Sequence, residues 1–444
     1  MAYMIMVIIG LLALGLLVFI HELGHFIAAR LCGVVVTAFS VGMGPILFRK
    51  KVGDTEYRIS AFPIGGYCSM KGEHDYQEAI DKNLDRVSGG SDTFFGVHPL
   101  KRIAIAFSGP LFNLLFAVLV FAIVSGVGHT YQTWENRIIL ASEYTDSGEL
   151  PANIAGLETG DRIISLNNTT VSNYSEIQQY LADKSSMNIS VTFVRNGMEH
   201  TTVVTPTLDK QTGTAKIGVY PLVPLTIGSI VEGSAAEFSG LKPGDKIFEI
   251  DGYPVSHFLD FQKALEHKPE EIIVSLNRAG IHLRVPLIIL YRDDGSIETG
   301  ISWEPESVVV AGTGPFMSIA NGVLDTGRII TLTVKSIALL FKGVNLSQAV
   351  SGPVRITLMI GEVAQQSLLG VAELLGIICV SLFLMNLLPI PVLDGGTILF
   401  STIELILRKP IRPRFLYYIQ FIGIAFILFL FVFALFNDIS YLLK

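Results

Sequence analysis

Five residues, His21-Glu22-Leu23-Gly24-His25, combine two imidazoles and a carboxylate at a spacing suited to hydrolysis. On a helix, positions i and i+4 share one face about 6 Å apart along the axis, so both imidazoles can reach one ion. Zinc takes about four ligands, and a catalytic zinc leaves one position to water; Glu22, on the same helix, can accept that water's proton. The pentad closes an unbroken apolar run. Ionisable groups at mid-membrane cost about 2.5 to 3.5 kcal/mol each. A bound zinc, worth on the order of 10 kcal/mol in small peptide sites, offsets that cost. The plain alternative is a chance pentad in an ordinary helix.

Two histidines are too few for zinc, so a third ligand is sought among acidic residues at membrane depth. Asp394 fits, in Asn386-Leu387-Leu388-Pro389-Ile390-Pro391-Val392-Leu393-Asp394-Gly395-Gly396. Pro389 and Pro391 each remove a backbone donor and stop a helix, while Gly395 and Gly396 admit close backbone approach. Such an unwound stretch is tolerated at membrane depth only where it is buried in protein or lines a cavity. A helix-cap or turn role for Asp394 is the alternative. His129, His200, His257, His267 and His282 read as surface or core residues, and His74 and His98 lack ligand spacing.

The elements that must carry these residues are membrane spans. Of 444 residues, 50% are hydrophobic and 16% charged, far from a soluble balance. Four runs are long enough to cross about 30 Å of hydrocarbon: Tyr3 to Ala29, Ile103 to Val127, Gly370 to Leu388 and Phe415 to Phe436. The first lacks the basic start and small-residue cleavage site of a signal peptide, so it is kept as a span. Arg30 to Arg102 holds ten Lys and Arg, and Arg408, Lys409, Arg412 and Arg414 follow the third span, which places both segments on the cytoplasmic side. Between Gly128 and Pro315 lie 24 acidic and 13 basic residues, fitting a soluble outward region. With a net charge of −7, no nucleic-acid partner is expected. The three cysteines, Cys32, Cys68 and Cys379, give no disulfide framework.

The outward region contains a repeat. Ala155-Gly156-Leu157-Glu158-Thr159-Gly160-Asp161-Arg162 returns 84 residues later as Ser239-Gly240-Leu241-Lys242-Pro243-Gly244-Asp245-Lys246. Each copy continues with a strand, a turn, a Ser172 or Ser256 N-cap, a short helix, and a hairpin turning at Arg195-Asn196-Gly197 or Arg278-Ala279-Gly280. The pattern resembles bacterial protease-associated PDZ domains. That resemblance implies peptide grooves at Ile217-Gly218-Val219 and Thr299-Gly300-Ile301, with Ile217, Gly218, Gly300 and Ile301 as candidate contacts. Closed grooves serving only as spacers are the alternative.

Taken with Gly42-Met43-Gly44, Ser108-Gly109-Pro110-Leu111-Phe112-Asn113 and Asn-x-x-Pro-x-Pro-x-Leu-Asp-Gly before the last span, the chain resembles the site-2 proteases over essentially its full length. The resemblance implies Zn2+ held by His21, His25 and Asp394, with Glu22 as catalytic base. It also implies substrate contacts from Asn386, Pro389 and Pro391. Arg58 to Lys71, with Tyr67, looks like the family's membrane-associated β-loop, whose edge would pair with an unwinding substrate; Gly42 and Gly44 join Tyr67 as substrate-side candidates. One departure is Thr397, where members often carry His.

The expected fold is therefore a multi-spanning α-helical membrane protein with four transmembrane helices, a β-loop and two inserted α/β PDZ-like domains. Its segments are 1–127 (two spans, pentad and β-loop), 128–222 and 223–312 (PDZ-like), 313–369 (amphipathic connector on the outer membrane face, or an ordinary packed connector) and 370–444 (two spans and the third ligand). The expected activity is intramembrane peptide hydrolysis of single-span proteins in a bacterial inner membrane, in contact with lipid. By family analogy the substrates are an anti-sigma factor already trimmed by another protease, and signal-peptide remnants. The rival is a catalytically inert PDZ-bearing adaptor or receptor. A transporter is disfavoured because the spans show no internal repeat.

Overall fold

The structure is a computed structural model that describes residues 2–73, 79–82, 84, 87, 89–145, 148–209, 213–291, 297–340 and 352–442; His74 lies outside them. The chain forms two compact units, Met1–His129 with Ala311–Lys444, and Thr130–Val310.

The first unit begins with helix α1 (Ala2–Cys32), followed by two long strands, β1 (Val36–Val52) and β2 (Thr55–Met70). Both strands bend, so the pair makes a sheet four segments wide. Residues 36–43 pair with 66–70 on one side and with 56–62 on the other, and 46–52 pair with 55–60. The bend in β1 falls at Gly42 and Gly44, both at positive φ, and a Cβ on Gly42 would press on the Phe62 carbonyl. Segment 66–70 is left as an edge. Helix α2 (Pro99–Val127) starts with proline at its first position, and the preceding His98 side chain accepts from the Leu100 N–H.

In the second unit the first module has β3 (Ile138–Leu140), β4 (Arg162–Leu166), α3 (Tyr174–Leu181), β5 (Ile189–Arg195), β6 (Met198–Val204) and β7 (Val219–Pro221). The second has β8 (Ile227–Ile230), β9 (Lys246–Ile250), α4 (Phe258–Ala264), β10 (Glu271–Arg278), β11 (Ile281–Ile288) and β12 (Ile301–Trp303). In both, an antiparallel sheet places β4 beside β5 and β6, or β9 beside β10 and β11, and the first and last strands form a separate pair. The sequence repeat is thus a repeat of topology. Each module buries its own apolar core, around Ile163, Ile189 and Val191 or around Ile247, Val274 and Leu276.

The expected N-caps are off by one. Asn173 and His257, not Ser172 and Ser256, cap α3 and α4. The serines stand one residue earlier, where their N–H groups donate to Glu176 and Asp260 in the first helical turns. Those carboxylates reach back to close the turn and so shift the cap.

Two further features of the repeat, the Gly-Asp segment and the Arg at the hairpin turn, prove to be one device. Arg195 clasps Asp161 through Nε and Nη2, both at 2.8 Å, and Arg278 clasps Asp245 likewise at 2.7 Å. Both aspartates are buried. Each also accepts a backbone N–H, from Glu158 or Lys242.

The described residues of the first unit continue with α5 (Pro315–Leu340), α6 (Pro353–Gln366), α7 (Leu368–Asn386), α8 (Asp394–Leu407) and α9 (Pro413–Leu442). Among the described residues four helices are long and apolar enough to cross a membrane, Met4–Cys32, Pro99–Val127, Leu368–Asn386 and Pro413–Ser440, which are the four runs read from the sequence. Between helices in lipid, close packing of small residues replaces the hydrophobic drive. Gly10 meets Thr357, Gly361 meets Met6, and Gly376 meets the Phe121 ring. Helix α5 packs along α2 with Gly322 against the Val118 carbonyl, Thr326 buried, and Ile329 and Ile330 against the Leu17, Ala117 and Phe121 core. The face packed on α2 is thus the small-residue one, while Ile319, Val323 and Val334 are exposed; the rest of that stretch, from residue 341, is outside the described residues.

Replacing Arg278 by Ala strands the Asp245 carboxylate, which is fully buried. The loss should be about 2 kcal/mol, below that of a fully buried pair because the guanidinium is 29% exposed. Urea-dependent proteolysis of the second module in the purified chain measures it; Arg284→Ala, an exposed arginine, should change little. Burial alone would raise the Asp245 pKa, but the Arg278 hydrogen bonds and the Lys242 N–H hold it below the ordinary carboxylate range. A depressed folded-state pKa stabilises fully above about pH 4 and ever less as pH falls through the folded value. The wild-type module should lose stability in acid more steeply than Arg278→Ala.

Candidate metal centre

His21, Glu22 and His25 lie in the last third of α1, and Asp394 is the first residue of α8. The structure brings the two histidines and the aspartate together across 369 sequence positions. His21 Nε2 lies 3.2 Å from His25 Nε2 and 3.2 Å from Asp394 Oδ2, and His25 Nε2 lies 3.3 Å from Asp394 Oδ1. The carboxylate turns a different oxygen to each imidazole, and with one atom taken from each residue the three donors lie within 4.8 Å of one another, close enough for one ion to reach all three.

The other ring nitrogens support this. His25 Nδ1 is 2.8 Å from the Ile105 carbonyl, which can only accept, so Nδ1 carries the proton and Nε2 presents a lone pair. His21 Nδ1 is 3.1 Å from the side-chain amide of fully buried Asn113. Placing the amide nitrogen there leaves Asn113 Oδ1 with no partner. Rotating the amide by 180°, which heavy-atom positions do not distinguish, lets Oδ1 accept from His21 Nδ1–H. His21 Nε2 then also presents a lone pair. Two imidazole lone pairs and a carboxylate converging at these distances are a donor set for a cation.

The approach of α2 to α1 depends on glycine on both sides. A Cβ on Gly24 would overlap the Ser108 carbonyl, and one on Gly109 would overlap the His25 imidazole. Gly24, within the pentad, is thus a packing requirement. Pro110 sits inside α2 and supplies no N–H to the ladder, one turn beyond the carbonyl that His25 uses.

Asp394 reaches the centre from an unwound segment, Leu387 to Leu393, between α7 and α8. Gly395 and Gly396 lie so close to the carbonyls of Leu387, Leu388 and Ile390 that a side chain on either would collide with them. Val392 has φ 84°, a left-handed conformation that a β-branched residue adopts only under strain of about 1 to 3 kcal/mol. That strain sits two residues from the carboxylate it helps to aim.

A cavity of about 270 Å³ opens on the centre, lined by His21, Glu22, His25 and Asp394 together with residues of the edge segment and of α7 and α8. The Glu22 carboxylate accepts from the backbone N–H of Cys68, on the edge segment of β2.

Residues 9–430 match Peptidase family M50. The chain is a member of that family. It is 42% identical to a Treponema pallidum protein named "Putative zinc metalloprotease", over 99% of this chain and 100% of the relative. It is 31% identical to a protein of the same name from Borreliella burgdorferi, over 99% of each. It is also 31% identical to "Regulator of sigma-E protease RseP" of Escherichia coli K12, over 97% of each. This M50 peptidase is an integral membrane zinc metalloprotease of the site-2 type.

Of the substrate-side candidates in the peptidase, Asn386 and Tyr67 line the cavity, as does Thr397 at the departure position. Pro389 and Pro391 belong to the unwound segment and Gly42 and Gly44 to the β1 bend; none of the four is in the cavity wall. In the second unit Gly218 and Gly300 have positive φ, and Ile217 points into the first module's core. Sequence reasoning missed Asn113, the Ile105 carbonyl and Gly109 as supports of the histidines. The available signal was an asparagine inside an otherwise apolar span, a position where polar groups are costly unless they have work to do.

Asn113→Ala should lower zinc affinity about 10- to 100-fold, the usual effect of losing the group that orients a metal-binding imidazole. Zinc retained by the purified protein against a graded chelator measures this; wild-type retention would remove Asn113 from that role.

Proposed function

We propose that zinc is held by His21, His25 and Asp394 and that the peptidase uses Glu22 as general base to cleave single-span membrane proteins within the bilayer. The observation that carries this reading is the trio of separations near 3.3 Å, with Glu22 in the same cavity wall. Zinc, when bound, polarises the scissile carbonyl and acidifies water. Glu22 removes a proton from the attacking water and returns it to the departing amide nitrogen. The Cys68 N–H fixes the carboxylate against the edge strand, so base and strand hold a constant relation.

A transmembrane helix hides its amides in its own hydrogen bonds, so it must unwind before attack. Segment 66–70 supports a means. It pairs only with 36–41 among the described strands, which leaves its other edge for an extended peptide, and Tyr67, Cys68 and Met70 line the catalytic cavity. On this reading Arg58 to Lys71 is the β-loop of the family. Asn386 lies across the cavity, where its amide can hold the same peptide.

The two modules of the second unit are read as PDZ domains that face the periplasm of a bacterial inner membrane, following the distribution of Lys and Arg. Their helix-to-strand grooves hold aromatic groups. Tyr174 donates to the Val219 carbonyl, and Trp303 packs edge-on against Phe258 and Phe261. A cavity of about 860 Å³ lies between the modules, with Tyr220 and Pro221 of β7 on one side and Phe258 and Lys263 of α4 on the other. This arrangement supports inspection of a substrate's outer segment rather than simple spacing. The name of the Escherichia coli relative supports an anti-sigma factor as substrate, and remnant signal peptides form a second class.

Cleavage of a single-span model substrate by the reconstituted full chain tests the mechanism. Glu22→Gln should lower the rate by about 10² to 10⁴ while zinc content stays unchanged, and a strong chelator should stop the wild type. Equal cleavage in all three conditions would favour the inert adaptor. Asp394→Ala should lose zinc; full occupancy would move the third ligand elsewhere.

A further inference from the structure

A second polar cavity in the membrane unit takes no part in the chemistry above. Its volume is about 640 Å³, and His98, Arg102, Glu404, Arg408 and Lys409 are in its wall, with the Phe95 ring beside them. The size falls in the range of ordinary small-ligand sites. Helix α2 has 29 residues, about 43 Å at 1.5 Å per residue, so its ends extend beyond about 30 Å of hydrocarbon. The cavity opens at the first turn of that helix, where headgroups lie.

The charges there do not cancel. Glu404 is fully engaged: Oε2 accepts from Arg102 and Oε1 from the Ile411 N–H. Arg102 is buried, at 7% exposure, and its Nε has no hydrogen-bond partner. Arg408 and Lys409 are exposed and form no ion pair among the described residues. The Arg408 backbone is left-handed, at φ 53°, where α8 ends. His98 accepts the Leu100 N–H on Nδ1, so in its neutral form Nε2–H is a donor. Among the described residues, a buried guanidinium with an unused donor, two cations without an ion pair and an imidazole N–H surround this space, and the one carboxylate in its wall, Glu404, is already engaged. Burying such donors without an acceptor is unfavourable, and an anion with several oxygens relieves it.

We propose that this cavity binds a phosphate-group anion at the membrane boundary, with Arg408 and Lys409 as its charge contacts and His98 and Arg102 as the donors behind them. The phosphate comes either from an anionic lipid headgroup or from solution, and both present the same oxygens. The site is distinct from the metal centre, although its walls are the other ends of the elements that build it. Arg102 lies one turn before Ile105, and Glu404 lies on the helix that begins with Asp394.

The test uses delipidated full-length protein in neutral detergent. Native mass spectrometry follows retention of dioleoylphosphatidylglycerol against dioleoylphosphatidylcholine, and calorimetry follows inorganic phosphate. Wild type is compared with Arg408→Gln/Lys409→Gln and with Arg412→Gln/Arg414→Gln, which removes two exposed cations outside the cavity wall. The expected result is preferential retention of phosphatidylglycerol, weakened about tenfold in the first variant and unchanged in the second. Unchanged zinc content reports that each variant is folded. Phosphate heats without lipid preference, lost in the first variant only, would support the site with free phosphate as its ligand. Equal retention of the two lipids with no phosphate heat, or equal loss in both variants, would overturn it.

Discussion

Two imidazole nitrogens and a carboxylate within 4.8 Å of one another, all presenting lone pairs, are the constraint around which the membrane unit is built. Without a cation between them they repel, and a low dielectric makes the repulsion severe. With one they become the strongest cross-link in the unit, joining α1 to α8. The neighbouring features serve that convergence. Gly24 and Gly109 let α2 approach, Ile105 and Asn113 fix the faces of the imidazoles, and Gly395 and Gly396 fold the unwound segment so that Asp394 points inward.

A second requirement is set by the substrate. A peptide bond in a membrane helix is shielded until the helix opens, and opened backbone in lipid needs partners at once. On the proposed reading, the bent β1–β2 sheet offers them beside Glu22. Its bends depend on glycines at positive φ, which turn two strands into four segments and leave 66–70 at the edge. Gly42 and Gly44 thereby act on the site through sheet shape and not by lining it.

The parts legible in the sequence were those written in composition or in short local patterns. Four apolar runs became four helices, an eight-residue repeat became two modules of equal topology, and HELGH with a proline-interrupted aspartate segment met in space. What could not be read depends on contacts between distant residues. The Asp161–Arg195 and Asp245–Arg278 clasps join motifs that look independent along the chain. The caps lie one residue later, where Glu176 and Asp260 reach back to the N–H groups of Ser172 and Ser256, a contact that the sequence does not display. The face by which the connector packs was also hidden, because Gly322, not the exposed Ile319, Val323 and Val334, meets Val118 and Ala122. Asn113 carried no spacing signal at all.

The distance in sequence between His25 and Asp394 also sets a schedule. Synthesis runs from the N-terminus at about 5 to 20 residues per second, so Asp394 emerges on the order of 20 to 70 s after the pentad. Throughout that interval the nascent chain has a base and two imidazoles in the bilayer but not the carboxylate that completes them. The Asp394 segment is made only after both modules of the second unit. On the proposed ligand set, a chain interrupted anywhere before it lacks the third ligand, so hydrolysis waits on synthesis of both modules.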